Sequence, residues 1–409
     1  MTETFGRATT LGNLCEEGGG GIQTGPFGSQ LHASDYTVEG IPVVMPVNIG
    51  DNRVVEANIA RVSQQDADRL SKYRLTEGDI IYSRRGDVER RALVRSDSAG
   101  WLCGTGCLRV RLGDHSPHDN RFISYLLGTA NVREWIVRHA VGATMANLNT
   151  SILGSVPLDI PEPRTQHAIA DVLGALDDKI VSNQHAATVA ESVLSSQFRS
   201  LGLDSEPAAN EWVVSEIFDL NPPRPKPHQG PAVYLDMASL PNDGMVVTEW
   251  SERPPTGGAR FINGDTLLAR ITPCLENGKC GYVNFLPDGN VGVGSTEYIV
   301  MRSKADFPLE LSYFLAKSPR FTAFAIQQMV GSSGRQRLSA KDLADYPLSI
   351  VGRDAMATFG RRAAPTSALL RSYADENTVL AALRDTLLPA LTSGRLRVRD
   401  AEKLVEDAT

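Results

Sequence analysis

The sequence predicts an α+β protein built as a tandem repeat, in which each of two β-rich globules is followed by a long helix. Three observations predict it. Residues 162–199 carry a heptad seam, a second seam follows 190 positions later, and the segments ahead of the two seams share phrases in the same order.

The first seam reads Ile169, Leu173, Leu176, Ile180, Asn183, Ala187, Ala190, Leu194, on a segment without Gly or Pro after Gly174. At about 1.5 Å per residue such a helix is on the order of 50 Å long, too long to hide inside one globule. Its polar step, Asn183, predicts a contact that fixes register at some cost in stability. The second seam reads Phe359, Ala363, Thr366, Leu370, Tyr373, Asn377, Leu380, Arg384, Leu387, Leu391, with Arg384 the clear exception and Pro365 and Pro389 placed at its edges. Two unrelated amphipathic helices would also give two seams, but the flanks favour duplication. Leu148, Pro157 and Leu158 correspond to Leu338, Pro347 and Leu348, again 190 positions apart. Glu77-Gly-Asp-Ile-Ile matches Asn263-Gly-Asp-Thr-Leu, and Phe122-Ile-Ser-Tyr-Leu-Leu matches Leu311-Ser-Tyr-Phe-Leu. The expected division is a first globule at 1–160, a spacer helix at 161–200, a second globule at 201–351, a C-terminal spacer helix at 352–395 and a tail at 396–409.

Within the first globule, Ile41-Pro-Val-Val-Met-Pro-Val, Asp79-Ile-Ile-Tyr-Ser and Cys107-Leu-Arg-Val-Arg-Leu read as strands. Gly18 to Gly21 reads as a flexible loop, Thr24-Gly-Pro-Phe-Gly-Ser as a tight turn, and Arg121 to His139 as a helix with Phe122, Leu126 and Trp135 on one face. Residues 201–210 form a polar linker, and prolines hold Asn221-Pro-Pro-Arg-Pro-Lys-Pro extended. In the second globule the strands are Ala232-Val-Tyr-Leu-Asp, Asp265-Thr-Leu-Leu-Ala-Arg, Lys279-Cys-Gly-Tyr-Val and Glu297-Tyr-Ile-Val-Met, followed by a helix near Leu309 to Gln328.

Composition narrows the function. A chain of 409 residues with 42% hydrophobic and 22% charged residues supports two ordinary cores. No apolar run is long enough to span a membrane, and the start MTETFGRATT lacks the parts of a signal peptide, so a cytoplasmic protein is expected. Five cysteines, Cys15, Cys103, Cys107, Cys274 and Cys280, read as free thiols; Cys103 and Cys107 lack the second ligand pair that zinc needs. Asn221-Pro-Pro-Arg resembles the base-stacking loop of amino-methyltransferases, but Arg224 replaces the aromatic residue and no Gly-rich cofactor loop precedes it. Gly18 to Gly21 lacks the Lys-Ser/Thr of a phosphate-binding loop.

Net charge is −7, yet 82–111 carries seven arginines (84, 85, 90, 91, 95, 109, 111) against Asp87, Glu89 and Asp97. The candidate functional residues lie on turns at matched points of the two repeats. Arg84 and Arg85 end a strand, where planar guanidinium groups can meet guanine edges or phosphates. The equivalent turn of the second half holds Arg270, Thr272, Asn277 and Lys279. The other shared turn holds Asn147 and Asn149 in the first half, and Arg335, Gln336 and Arg337 in the second. Asn and Gln can read adenine through two hydrogen bonds. Taken singly, each turn also fits a solvated loop; the repetition favours recognition.

These phrases resemble the DNA specificity (S) subunit family of type I restriction-modification systems. The residues that carry the likeness are Gly25-Pro-Phe-Gly-Ser, Tyr82-Ser-Arg-Arg-Gly, Met145-Ala-Asn-Leu-Asn-Thr-Ser-Ile-Leu and Gln166-His-Ala-Ile-Ala-Asp-Val-Leu-Gly-Ala-Leu-Asp-Asp-Lys-Ile in the first half. In the second they are Leu268-Ala-Arg-Ile-Thr-Pro-Cys-Leu-Glu-Asn-Gly-Lys, Gly294-Ser-Thr-Glu-Tyr and Ser333-Gly-Arg-Gln-Arg. The resemblance implies two target recognition domains, each reading half of a bipartite site on double-stranded DNA, joined by two long antiparallel helices in a pseudo-twofold arrangement. It implies two methyltransferase (M) subunits and restriction (R) subunits as partners, with S-adenosylmethionine, ATP and Mg on those partners and no catalytic, cofactor or metal residue here. Asp177, Asp178 and Lys179, on the outer helix face, become candidates for the M-subunit surface. A coiled-coil scaffold that ignores DNA, and a self-sufficient methyltransferase or nuclease, are the alternatives.

Overall fold

The computed structural model describes residues 6–142, 146–206, 211–227, 230–255, 257–332, 334 and 336–406. The chain divides into two compact units, one made of Met1–Asp178 with Leu380–Thr409, the other of Lys179–Val379.

In the first unit a strand beside the amino terminus, Arg7–Thr10, pairs with Pro157–Ile160, the strand that leads into the first long helix. The main sheet has the order Gly21–Thr24, Cys107–Arg111, Ile80–Ser83, Arg91–Leu93, Asn52–Arg53. Its last pair is parallel and the others antiparallel. Ile80–Ser83 is buried along its whole length, as its unbroken Ile-Ile-Tyr-Ser run demands. A second sheet orders Tyr36–Thr37, Ala60–Val62, Ile41–Val44 and Leu102–Cys103, and its last pair runs parallel.

The second unit repeats this plan. Glu211–Val213 pairs with Pro347–Ser349. The main sheet orders Phe218–Leu220, Tyr298–Ser303, Thr266–Ala269 and Cys280–Tyr282, all antiparallel. The second sheet again holds a parallel pair, Ala232–Leu235 with Gly292–Gly294. The repeat differs at its margins: the first main sheet has a fifth strand, Asn52–Arg53, where the second has a single parallel bridge between Val246 and Tyr282.

The matched Gly-Asp phrases have one physical role. Asp79 and Asp265 are 1% and 0% exposed at the foot of the central strand, and each must find a cation. Asp79 accepts from Arg111 Nε and Nη2 at 2.7 and 2.6 Å, and from the Thr76 N–H at 2.8 Å. Asp265 accepts from Arg224 Nη2 at 2.6 Å, Arg302 Nη1 at 2.8 Å and the Ile262 N–H at 2.9 Å. Arg224 is therefore a structural counter-ion, which explains why arginine ends the Asn221-Pro-Pro-Arg phrase.

Several expectations are corrected. The helix read over Arg121 to His139 is two helices, Asn120–Leu127 and Ala130–His139, and that near Leu309 to Gln328 is Leu311–Ala316 and Pro319–Gln327. The first break has Gly128 as its C-cap and the second has Pro319 at the start of the next helix. Gly18 to Gly21 is not a loose loop, because a Cβ on Gly20 would stand 2.0 Å from the Arg111 carbonyl oxygen. The tail residues form a helix, Val398–Glu406, with Ala401 and Val405 buried. The five cysteines are free, and burial pushes the Cys103 and Cys280 thiols up to about 12, which leaves them unreactive. Among the described residues no His, Cys, Asp and Glu cluster suits a metal, and no helix is long and apolar enough to cross a membrane.

The long helices are Pro163–Leu201 and Arg353–Thr392. Each stops at a glycine with positive φ, Gly202 at 78° and Gly394 at 70°, the left-handed conformation that closes a helix C-terminus. The second helix runs straight through Pro365, which is an interior residue and not an edge. The seams are the buried faces: Ile169, Leu173, Leu176, Asn183 and Leu194 are buried on the first, and Phe359, Ala363, Leu370, Leu380, Leu387 and Leu391 on the second. Within the second unit the segments run antiparallel. Asn183 Nδ2 donates to Asn377 Oδ1 at 3.0 Å and Glu376 Oε2 at 2.8 Å, while Phe198 packs edge-on against Phe359.

The seam exception, Arg384, is a buried ion-pair centre in the first unit. It donates Nη1 to Asp177 Oδ1 at 2.8 Å and Nη2 to Asp51 Oδ2 at 2.7 Å, with side-chain exposure of 13% against 10% for Asp177. Asp177 also accepts from Tyr125 Oη at 2.6 Å, so it faces inward and is not part of an outer helix surface. Asp178 is exposed and Lys179 partly so, and they are paired with Arg95 and Glu376 respectively. Arg384→Ala leaves Asp177 buried without its principal cation and is expected to destabilise the chain by about 3–5 kcal/mol in urea unfolding. Adding Asp177→Asn, which keeps an acceptor for Tyr125, to Arg384→Met is expected to recover most of that loss.

Candidate nucleic-acid interface

The same backbone frame is built at the exit of the central strand in each unit. In the first, the Arg84 N–H donates to the Gly106 carbonyl at 2.8 Å, and the Arg84 carbonyl accepts from the Leu148 N–H at 2.8 Å. Arg85 then bridges Asn147, and the Gly86 N–H donates to the Ala146 carbonyl at 3.1 Å. In the second, the Arg270 N–H donates to the Glu297 carbonyl at 3.0 Å, and the Arg270 carbonyl accepts from the Leu338 N–H at 2.8 Å. Ile271 bridges Arg337, and Thr272 meets Gln336 through both its N–H and its hydroxyl, at 3.2 and 3.1 Å. The strand exit and the second shared turn are thus one surface in each unit, held by bonds between backbone atoms apart from the Thr272 hydroxyl.

The first unit brings Arg84, Arg85 and Asn147 together. Arg84 is half-buried with its guanidinium carbon 5.8 Å from the centre of the Phe27 ring, a cation–π contact that orients the planar group. Its Nε and the Asn147 Oδ1 are buried atoms without a hydrogen-bond partner among the described residues. Arg85 is exposed, and neither arginine has a carboxylate partner among the described residues. The set offers guanidinium donors and a carboxamide, which match guanine edges, adenine edges and phosphates.

The second unit brings Arg270, Thr272, Gln336 and Arg337 together. Both arginines are paired with Glu297: Arg270 Nε to Oε2 at 3.1 Å, and Arg337 Nε to both oxygens at 3.1 Å with Nη2 to Oε1 at 2.9 Å. Arg337 foremost, then Arg270, holds the Glu297 carboxyl below its ordinary range against the opposing effect of desolvation. Arg270 also lines a cleft of about 370 Å³ with Asn221, Arg224, Arg260, Thr296 and Tyr298.

Other candidates serve the fold. Asn149 Oδ1 accepts the Ile152 N–H at 2.8 Å and caps the helix Thr150–Gly154. Lys279 donates Nζ to the carbonyls of Met237, Ala238 and Leu240 at 2.8, 2.9 and 2.8 Å, which uses all three of its donors. Asn277 is exposed on the turn that begins at Thr272, and Arg335 lies outside the described residues. Much of the basic stretch 82–111 is engaged within the fold: Arg91 is buried, Arg95 pairs with Asp178, Arg111 pairs with Asp79, and Arg109 donates to the Lys72 and Arg74 carbonyls. Two residues at this surface were missing from the candidates, Phe27 and Glu297. Both stand inside phrases that carry the resemblance, Gly25-Pro-Phe-Gly-Ser and Gly294-Ser-Thr-Glu-Tyr, which is the signal that could have found them.

Residues 26–190 match the family described as the type I restriction modification DNA specificity domain. The chain is 34% identical over 151 residues to the EcoEI type I restriction enzyme specificity subunit of Escherichia coli, a match that covers 35% of this chain and 25% of that protein. It is 42% identical over 111 residues to the EcoAI specificity subunit of the same organism, covering 26% of this chain and 18% of the relative. The matched stretches thus span a quarter or less of those relatives. A crystal structure of a type I restriction-modification system S subunit from M. genitalium superposes with a TM-score of 0.56 over 96% of this chain and 97% of that one, at 17% identity, a likeness of fold.

Arg84→Ala is expected to weaken duplex binding roughly tenfold and to flatten the slope of log affinity against log salt by about one unit, measured between 50 and 200 mM salt. Lys279→Ala is expected to lower thermal stability and leave that slope unchanged.

Proposed function

We propose that this chain is the sequence-specific DNA-recognition subunit of a type I restriction-modification complex, a reading supported by the match of residues 26–190 to the DNA specificity domain of such systems. Each unit reads one half of a bipartite site, and the long helices set the spacing between half-sites and dock the methyltransferase subunits. The observation that carries this reading is the repeated strand-exit frame, which presents Arg84, Arg85 and Asn147 in one unit and Arg270, Gln336 and Arg337 in the other. Two weak readers on a stiff spacer gain affinity only where both half-sites are present, which supports a bipartite target.

In this reading the chain is non-catalytic and works in the cytoplasm with two M subunits and, for restriction, R subunits. S-adenosylmethionine, ATP and Mg belong to those partners, where they supply methyl transfer and ATP-driven cleavage. The chain's own part is to hold the duplex in register so that the partner's chemistry falls at one position. A scaffold indifferent to DNA would have no use for arginine side chains that have no carboxylate partner among the described residues at the exit of the first central strand.

Methylome sequencing tests the proposal. A host lacking this gene, complemented with it and its native M subunit, is expected to gain a bipartite methylated motif that neither component alone produces. An S–M complex that forms and yields no motif would overturn it in favour of the scaffold.

A further inference from the structure

Glu297 stands where the first unit has Gly106, since each residue's carbonyl accepts the N–H of the arginine that leaves the central strand. Glycine puts nothing beside Arg84. Glu297 puts one carboxylate between Arg270 and Arg337, within 3.1 Å of both guanidinium groups. The pair is only partly shielded, with side-chain exposures of 32% for Arg270, 59% for Arg337 and 19% for Glu297.

We propose that Glu297 is a specificity-determining residue of the second unit, holding Arg270 and Arg337 away from phosphates at large so that they engage only the correct half-site. The inference rests on the reading of this surface as a DNA interface. A phosphate that approaches either arginine must approach the charge of the Glu297 carboxylate, and can take Nε of either arginine only by displacing that carboxylate. The cluster therefore presents a net charge of one where two free arginines would present two. On random duplex nothing compensates this loss. A base pair that turns an exocyclic amino group toward Glu297 does, because the carboxylate can accept from cytosine N4 while its arginines move to neighbouring acceptors. The half-site read by the second unit is accordingly one with the amino group of a cytosine or an adenine at this position. Among the described residues the first unit has no such gate, so its arginines bind phosphate wherever they meet it.

The test uses the full chain with its M subunits. Glu297→Gln keeps the size of the side chain and removes its charge, and Glu297→Ala is a second variant read in the same way; melting curves establish that each is folded. With a random-sequence 30-base-pair duplex as probe, both variants are expected to bind about tenfold more tightly at 50 mM salt. Their slope of log affinity against log salt should steepen by about one to two units, as two cations are released to phosphates. Preference for a duplex carrying the site identified by methylome sequencing over the random duplex should fall, through the second half-site alone, and Glu297→Asp should restore much of it. An unchanged slope in both variants, while Arg270→Ala and Arg337→Ala weaken binding, would sink the gate and leave the interface standing. If Arg270→Ala and Arg337→Ala also bind like the parent, the interface reading of this surface falls as well.

Discussion

A carboxylate without access to water must be given a cation, and in both units that requirement sits at the foot of the central strand. Asp79 and Asp265 each bind the N–H of their own turn and a guanidinium carried by a neighbouring strand, Arg111 and Arg302 respectively. Turn, strand and neighbour are thereby fixed together. A slip of one residue would carry the aspartate off its arginine and turn every side chain of the strand to the opposite face. The point at which the strand leaves the sheet, Arg84 or Arg270, follows from that lock, and so does all that is displayed there.

Much of this was legible in the sequence because it is periodic or repeated. The seam positions became the buried faces of two helices of 39 and 40 residues, since apolar spacing reports directly which side of a helix avoids water. The shared phrases marked where the second unit rebuilds the backbone of the first. Partners distant in sequence were not legible. Arg384 looked like a flaw in the seam because nothing near it announces Asp177 or Asp51, and the arginines of 82–111 looked like one basic surface because the acceptors of Arg91, Arg95, Arg109 and Arg111 are carbonyls and carboxylates elsewhere. Charge counted along a chain measures composition, whereas exposure is decided by the fold. Glu297 escaped for a related reason: an acid beside a nucleic-acid surface is discounted until its bonds to two arginines are seen.

The two units share a frame and differ in what they hang on it. The hydrogen bonds that join the strand exit to the second turn run between backbone atoms, apart from the Thr272 hydroxyl, so side chains there can change without loss of the frame. Asn147 corresponds to Arg337, Arg85 to Ile271 and Gly106 to Glu297, three changes of size or charge at equivalent points. Such a scaffold separates stability, which resides in the buried ion pairs and cores, from the recognition proposed for a handful of displayed groups.

The first unit is closed by residues that come from the far side of the second, for Leu380–Thr409 belongs to it and Arg384 supplies the counter-ion of Asp177. On the ribosome this inverts the usual order. The second unit is a continuous stretch and can fold as soon as it emerges, whereas the first must wait until some 200 further residues have been made, about 10–40 s at ordinary translation rates. Through that interval Asp177 lacks its principal cation, Arg384, and the first unit lacks the packing of Leu387 and Leu391. A lesion late in the gene would therefore be felt first in the half of the protein encoded earliest.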